Sequence, residues 1–320
     1  MIRTPLRTPL RVGLVGAALV GCGLLAVPAA AGATPMSAPE ADTTEVSAAS
    51  VALAADYWTP ERMRSAIPAD VLLADAETSA NSAGVEAGAP VTYAGSEADV
   101  EEDVPSGLPL PGPGVGKVFF ELNGSRYVCS GNSVGSANGS VVATAAHCVH
   151  GGGAGESFAS QWVFVPGYHE GEAPFGVWAA TSLSVPQQWS EGNDISYDSG
   201  FVKVGTVAGH TLTQTVGSSA IAFNQPRGLD YTAFGYPAAP PFDGGTAKSC
   251  RGTAVADPFL QTQSQGIPCD MTGGSSGGPW FLTSGVQNST NSFGYVGLDD
   301  VMFGPYWGSV AQSAYVAVAS

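Results

Sequence analysis

Positively charged side chains are scarce in this sequence, which has 11 lysines and arginines against 27 aspartates and glutamates. Three of the arginines, Arg3, Arg7 and Arg11, lie at the very N-terminus, and the remaining chain has no basic cluster. Proteins that bind nucleic acid or anionic membranes concentrate lysine and arginine on one surface. We therefore expect neither as a partner of this chain.

The N-terminus has the layout of a secretory signal peptide. An apolar run over residues 12–27 follows the arginines, and small residues come next. We place the cut after Ala33, which makes residues 1–33 a signal peptide and the product secreted and extracellular. An alternative starts from "LVGC", which resembles a lipoprotein box whose Cys22 is acylated. The apolar run continues past Cys22, where a polar tether would be expected, and this favours ordinary secretion.

Cysteine is rare as well, and no two cysteines are spaced as C-x-x-C, so a zinc site is not predicted and we expect no cofactor or metal. Removal of the signal peptide leaves an even number of cysteines in an exported protein, which predicts two disulfides. Four cysteines allow three connectivities. Pairing between sequence neighbours would close two short loops of similar size: Cys129 with Cys148, and Cys250 with Cys269.

Charge divides the remaining chain into an acidic segment, residues 34–116, and a domain, residues 117–320. The acidic segment has fourteen aspartates and glutamates against Arg62 and Arg64 and few large apolar residues. Such a composition cannot build its own core. We expect a largely unstructured acidic prosegment that ends in a Pro/Gly linker, where a protease would cut near Val115.

One stretch of the acidic segment, "YWTPERMRSAIPADVL", predicts a short docking helix. Thr59 can cap a helix whose first turn begins with Pro60. The alternative is a transient helix in a disordered spacer. The predicted apolar face comprises Met63, Ala66 and Ile67.

Residues 117–320 read as short β-rich runs, such as "GKVFFEL" and "RYVCSGNSV", between Gly, Asn, Pro and Ser turns. Few stretches show helical periodicity, and no repeat of fixed period is visible. The fold class is therefore all-β, either a barrel or a sandwich.

The stretch "GSSGG" places Ser276 at the centre of a G-x-S-x-G pattern. An α/β-hydrolase needs its catalytic histidine after that serine, and all four histidines precede it. The subtilisin order needs an aspartate between Lys117 and His147, and none is present. The order that remains is His, then Asp, then Ser.

His147 lies near the end of the β-rich run "VVATAAHCVH" and beside Cys148, which would hold a general base in a fixed position. Here the sequence resembles the trypsin-like serine peptidases: "TAAHC" is similar to their histidine signature, "CSGNSV" to the strand with the disulfide partner, and "GGSSGGPW" to their serine loop. The run "DMTGGSS" is similar to that of secreted bacterial peptidases of the glutamyl-endopeptidase type. The resemblance implies a chymotrypsin-like double β-barrel.

The acid of the predicted triad is Asp198, because "DSGFVKV" fits the family pattern of an aspartate, any residue, a small residue (Gly200) and then an apolar strand that begins with Phe201. Asp194 lacks the small residue and the immediate strand. A carboxylate on the far ring nitrogen of His147 would fix its tautomer and stabilise the imidazolium. The backbone N–H groups of Gly274 and Ser276 are the predicted oxyanion hole.

Ser275 departs from the family pattern, since digestive relatives carry an aspartate there that receives the new N-terminal amine. A hydroxyl cannot hold that charge, so we expect activation by release from the acidic prosegment. The predicted function is a monomeric, secreted serine endopeptidase that acts on proteins or peptides through an acyl-enzyme. The alternative is a protease-fold protein of the cell envelope that binds a partner without turnover.

Substrate preference is the last prediction from the sequence. Glutamyl endopeptidases read glutamate with a histidine after the catalytic serine, and this chain has none there. The stretch "GYVGLDDV" resembles a pocket strand and carries Asp299 and Asp300, and Asp270 could add to the same field. Buried aspartates would favour cleavage after Arg or Lys over Glu. The alternative is that these aspartates face solvent and the pocket takes apolar or small residues.

Overall fold

A computed structural model describes residues 41–76, 87–99 and 112–320. The predicted signal peptide, Cys22 and most of the predicted Pro/Gly linker lie outside these ranges. The first strands are β1 (Ala41–Glu45), β2 (Ile67–Pro68), β3 (Val91–Tyr93), β4 (Val115–Leu122), β5 (Ser125–Val134), β6 (Val141–Thr144), β7 (Ser160–Pro166), β8 (Trp178–Pro186) and β9 (Gly200–Val204).

The later strands are β10 (Ile221–Phe223), β11 (Asp230–Gly235), β12 (Lys248–Thr253), β13 (Val255–Ala256), β14 (Gln265–Pro268), β15 (Pro279–Leu282), β16 (Gln287–Thr290) and β17 (Val301–Gly304). The α-helices are α1 (Ala48–Tyr57), α2 (Pro60–Arg64), α3 (Gln187–Ser190), α4 (Leu212–Val216) and α5 (Ser309–Ala319). Three 3-10 helices span Ala69–Asp75, Ala146–Cys148 and Ile195–Tyr197.

Six antiparallel strands close the first barrel in the order β4, β5, β6, β9, β8 and β7. β4 is buried along almost its whole length. Phe120 points into the barrel, whereas Phe119 belongs to a second cluster together with Trp58 of the acidic segment. Because neighbouring strand residues face opposite sides, burial of both faces explains the continuous apolar run "VFF".

The second half of the domain contributes five strands, β12-β11-β15-β16-β10, to a six-stranded sheet that β3 of the acidic segment completes, and it forms a three-stranded sheet, β13-β14-β17. Tyr231, Ile267 and Trp280 pack together in its core. The prediction of an all-β fold is therefore confirmed. Helix α5 was not predicted, and it packs Ala314 and Tyr315 against Phe201 of the first barrel.

The acidic segment requires a correction to the expectation that it is largely unstructured. Its β1 pairs with β8, its β2 with β5 and its β3 with β10, and Ser37–Ser320 form one unit. In the described part of the segment, no core cluster consists of segment residues alone, and Ala54, Trp58 and Met63 join a cluster of the domain. Burial of these side chains against the domain stabilises the segment in place of a core of its own.

The predicted docking helix is present as α2, and the hydroxyl of Thr59 accepts a hydrogen bond from the N–H of Arg62. Met63 is buried and Ala66 packs against the same cluster. Ile67 was assigned wrongly to the apolar face, because the helix ends at Arg64 and Ile67 is exposed in β2. In the described ranges, no helix is both long and apolar enough to cross a membrane.

Candidate active site

The predicted histidine and aspartate meet at one end of the first barrel. β6 ends at Thr144, and His147 lies in the 3-10 helix that follows it. β9 begins at Gly200, just after Asp198, and pairs with Thr144. Oδ1 of Asp198 accepts the backbone N–H of His147 at 2.8 Å, and its Oδ2 lies 2.8 Å from Nδ1 of the ring.

Asp198 is fully buried, and burial alone would raise the pKa of its carboxyl group. The electrostatic interaction with His147 and the hydrogen bonds from His147 and Ser292 outweigh burial, so that the pKa of the carboxyl group lies below its usual value. The group therefore stays ionised and can accept Nδ1–H of His147. In that tautomer Nε2 carries the lone pair that a general base needs. Nε2 is buried and has no hydrogen-bond partner among the described groups.

Ser292 is a site residue that the sequence analysis missed. Its hydroxyl donates to Oδ2 of Asp198 at 2.5 Å, and both residues are buried. It follows β16 in the run "QNSTNSF", where one serine among several polar residues gives no distinguishing signal. Its position can be recognised only when the fold brings this run beside Asp198.

The loop that carries Ser276 lies against the strands that deliver His147. The carbonyl of Ser276 accepts the N–H of Ser130 at 2.7 Å. Gly277 has φ +82°, and a Cβ atom there would lie 2.1 Å from Oγ1 of Thr144. Only glycine allows this approach without displacing the strand. The structure thus places the loop of Ser276 against the strands that lead to the His147–Asp198 pair.

The predicted oxyanion hole has its peptide groups fixed by neighbours. Oγ of Ser130 donates to the carbonyl of Gly274 at 3.0 Å, and a Cβ atom on Gly274 would lie 2.9 Å from Cβ of Ala238. The N–H groups of Ser275 and Gly277 donate to backbone carbonyls. Among the described hydrogen bonds, the N–H groups of Gly274 and Ser276 have no acceptor. Two N–H donors of this loop are therefore available to a ligand, as the predicted oxyanion hole requires.

Ser275, the departure from the family pattern, is tied within its own loop. Its hydroxyl donates to the carbonyl of Thr272 at 2.8 Å, and its own carbonyl accepts from Nδ2 of Asn291 at 3.0 Å. These are neutral hydrogen bonds, so the loop is held without a charge on Ser275. Asp194, the rejected candidate for the acid, has a structural contact instead, since its Oδ1 accepts the N–H of Ser196 at 2.9 Å.

The three aspartates predicted to line the specificity pocket, Asp270, Asp299 and Asp300, are all exposed. The prediction of a buried negative pocket is therefore corrected. The run "GYVGLDDV" is not a strand except at its last residue, Val301, where β17 begins. Asp300 lies in the preceding turn with φ +58°. The structure fits the alternative, in which these side chains face solvent.

Both predicted disulfides are confirmed, namely Cys129–Cys148 and Cys250–Cys269. Cys129, His147 and Cys148 are also the one group of possible metal ligands found in the described ranges. The two sulphur atoms are bonded to each other and cannot act as thiolate ligands. These residues do not fit a metal ion.

Comparison with known proteins supports a serine protease, which is the class that the geometry of this site indicates. No protein-family profile matches the chain. The protease Anisep from Arthrobacter nicotinovorans is 48% identical, with a TM-score of 0.63, over 72% of this chain and 99% of that one. A thermostable serine protease from an extremophilic microorganism is 52% identical, with a TM-score of 0.62, over 66% of this chain and 99% of that one.

Two further matches are weaker. A Glu endopeptidase structure shares the fold, with 19% identity, a TM-score of 0.53 and coverage of 71% of this chain and 98% of that one. An extracellular metalloprotease from Bacillus subtilis (strain 168) is 30% identical over 124 residues, which are 38% of this chain and 36% of that relative. The match thus spans about a third of this curated relative.

These findings define the class as serine proteases with the chymotrypsin-like double β-barrel. Within that class, the chain belongs to the same family of bacterial serine proteases as Anisep and the thermostable enzyme.

Proposed function

We propose that this chain is a secreted serine endopeptidase, made as a proenzyme, that hydrolyses peptide bonds through His147, Asp198 and Ser276. The observation that carries the proposal is the buried hydrogen-bonded pair of His147 and Asp198 beside the loop of Ser276. Its substrates are proteins or peptides, and it acts as a monomer.

The geometry supports a two-step reaction. Oγ of Ser276 attacks the carbonyl carbon of the scissile bond while Nε2 of His147 takes the hydroxyl proton. The N–H groups of Gly274 and Ser276 bind the oxyanion, and the imidazolium returns the proton to the leaving amine. Water then cleaves the acyl-enzyme by the same route, which releases the acid product and restores Ser276.

The proposed domain organisation follows the sequence boundaries. Residues 1–33 are the signal peptide, residues 34–116 the prosegment and linker, and residues 117–320 the protease domain. Cleavage falls near Val115, at the start of β4. N-terminal sequencing of the active secreted protein tests this boundary, and an active species that begins only at Thr34 would contradict it.

A fluorophosphonate probe tests the catalytic assignment. The processed wild-type protein should be labelled at Ser276, and Ser276→Ala should abolish both labelling and peptide hydrolysis. Ser284→Ala is the matched control, since Ser284 is exposed in the turn after β15 and should leave both unchanged. Absence of labelling after verified processing would favour the alternative, a protease-fold binding protein without turnover.

Substrate preference follows from the exposed aspartates. The chain after Ser292 carries Phe293 and Tyr295, which pack with Phe303. With Asp270 and Asp299 in solvent, we propose that the protease prefers apolar over charged side chains before the scissile bond. Mass spectrometry of a peptide-library digest tests this. Dominant cleavage after Arg or Lys would restore the charged-pocket hypothesis.

A further inference from the structure

A piece of the acidic segment, residues 67–76, runs along the candidate active site. Its strand β2 pairs in parallel with β5, with Ile67 opposite Tyr127 and Pro68 opposite Val128. This edge of β5 is open because β6 pairs only from Asn132 onwards. An exposed strand edge is a recognised docking site for an extended peptide.

The residues that follow β2 pack on the histidine side of the site. The 3-10 helix Ala69–Asp75 contacts the 3-10 helix that carries His147. Ala69 is fully buried in the cluster that contains the disulfide cysteines Cys129 and Cys148. The contact therefore reaches the 3-10 helix and the disulfide that hold His147, and it is not confined to the outer surface of the barrel.

Asp70 reaches the serine side of the site. A Cβ atom placed on Gly273 would lie 2.0 Å from Oδ1 of Asp70, so the carboxylate rests directly against this glycine. Gly273 precedes Gly274, whose N–H is one of the two donors without an acceptor among the described hydrogen bonds. Among the described ion pairs, none involves Asp70. A negative charge thus lies beside the loop that would bind an oxyanion.

Leu73 completes the cover on the aspartate side. It packs against the cluster that contains the disulfide beside His147, and also against a second cluster with Ile195, Phe293 and Phe303. Phe293 follows Ser292, which hydrogen-bonds the catalytic carboxylate. Contacts from β2 to Leu73 therefore extend across all three parts of the site.

We propose that residues 67–76 form an inhibitory plug that occupies the substrate cleft of the same chain and is not cleaved there. This inference rests on the proposed function. The cleft would take an acidic side chain, Asp70, next to the oxyanion loop and a leucine, Leu73, on the Phe293 cluster. Release of the acidic segment then removes the plug and exposes Ser276.

The conformation of the plug explains why it resists cleavage. The residues over the catalytic centre form a 3-10 helix, in which carbonyl groups accept hydrogen bonds from N–H groups three residues later. At its end the carbonyl of Leu73 accepts the N–H of Ala76. A scissile carbonyl must instead point to the oxyanion donors. The plug therefore holds the cleft without presenting a bond to Ser276.

The test measures the rate at which a fluorophosphonate probe labels Ser276 in the full, unprocessed chain. Wild-type proenzyme should be labelled at least about tenfold more slowly than the processed enzyme. Asp70→Ala and Leu73→Asp should each accelerate labelling of the unprocessed band. Matched controls are Asp56→Ala and Leu53→Asp, since Asp56 and Leu53 are exposed on α1, and both should behave as wild type.

A second measurement does not depend on folding of the variants. A synthetic peptide of residues 67–76 should inhibit the processed wild-type enzyme and remain intact by mass spectrometry, and the Asp70→Ala peptide should inhibit less. Equal labelling of processed and unprocessed chains, or a first cut of the proenzyme within residues 67–76, would overturn the plug while the proposed function stands. Failure to label Ser276 in either form would overturn the proposed function itself.

Discussion

The acidic segment and the protease domain use carboxylates in opposite ways. Asp56 and Asp70 of the segment are exposed, whereas Asp198 and Asp257 of the domain are buried and held by several hydrogen bonds. A buried charge is tolerated only where donors surround it. The character of the segment therefore follows from how many acids it has, whereas the role of an acid in the domain follows from its hydrogen-bond partners.

Removal of one negative charge from each region tests this difference most directly. Asp198→Asn keeps the shape of the side chain but loses the charge that orients and stabilises His147, and we expect kcat to fall by about four orders of magnitude. Asp56→Asn removes the same charge at an exposed position and should leave kcat unchanged. Steady-state hydrolysis by the processed variants measures both. A similar kcat for the two variants would show that Asp198 is not the catalytic carboxylate.

The difference between the regions also explains what could be predicted from the sequence. His147, Ser276 and Asp198 stand in short motifs, and the order of the motifs excludes other classes of hydrolase. Ser292 stands in no motif, because its role depends on the meeting of β16 with the turn before β9. The exposure of Asp299 could not be predicted from the sequence motif for the same reason, because it depends on the geometry of the loop.

The docking of the acidic segment outside α2 was missed for a related reason. A composition rule asks whether a segment can bury its own apolar residues, and this one cannot. Trp58 instead packs on Phe119 and donates from Nε1 to the carbonyl of Gln161. These partners are far away in sequence, so no local pattern reveals them.

The second prediction concerns that shared burial. Trp58 is 4% exposed, so Trp58→Ala in the full chain should weaken docking of the acidic segment by about 3 kcal/mol or more. Hydrogen exchange of the amides of α1 should accelerate accordingly. Leu53→Ala is the control, because Leu53 is 63% exposed on the same helix, and it should change exchange little. Unchanged protection in Trp58→Ala would mean that the segment is held elsewhere.

The two disulfides provide a matched pair for the third prediction, because each has a sequence separation of 19. Equal loops predict similar losses of stability, about 3 kcal/mol for either bond. Only Cys129–Cys148 adjoins His147. We expect Cys129→Ala with Cys148→Ala to lose activity below the denaturant concentration that unfolds the domain.

Cys250→Ala with Cys269→Ala should lose activity only together with the fold. Urea titrations followed by both hydrolysis and tryptophan fluorescence separate the two variants. If activity and fluorescence coincide in both, the first bond has no particular role in positioning His147.

The smallest expected effect concerns the only buried lysine among the described residues. Lys117 of β4 is 4% exposed; its Nζ donates to the carbonyl of Gly244 at 3.0 Å and lies 4.5 Å from the ring centre of Tyr168. Burial lowers the pKa of Lys117 from 10.5 to about 8, although Asp243 opposes this shift. The folded state therefore binds fewer protons than the unfolded state between these two pH values.

Stability should consequently rise with pH in this window, by up to about 1.4 kcal/mol per pH unit from this group. Below about pH 8 the lysine is charged in both states, and the burial penalty is constant. Lys117→Met should remove the rise, whereas Lys248→Met, at an exposed position of β12, should retain it. Urea unfolding of the full chain at pH values on both sides of 9 measures the slope. A wild-type slope that persists in Lys117→Met would assign the proton to another group and leave Lys117 protonated within the barrel wall.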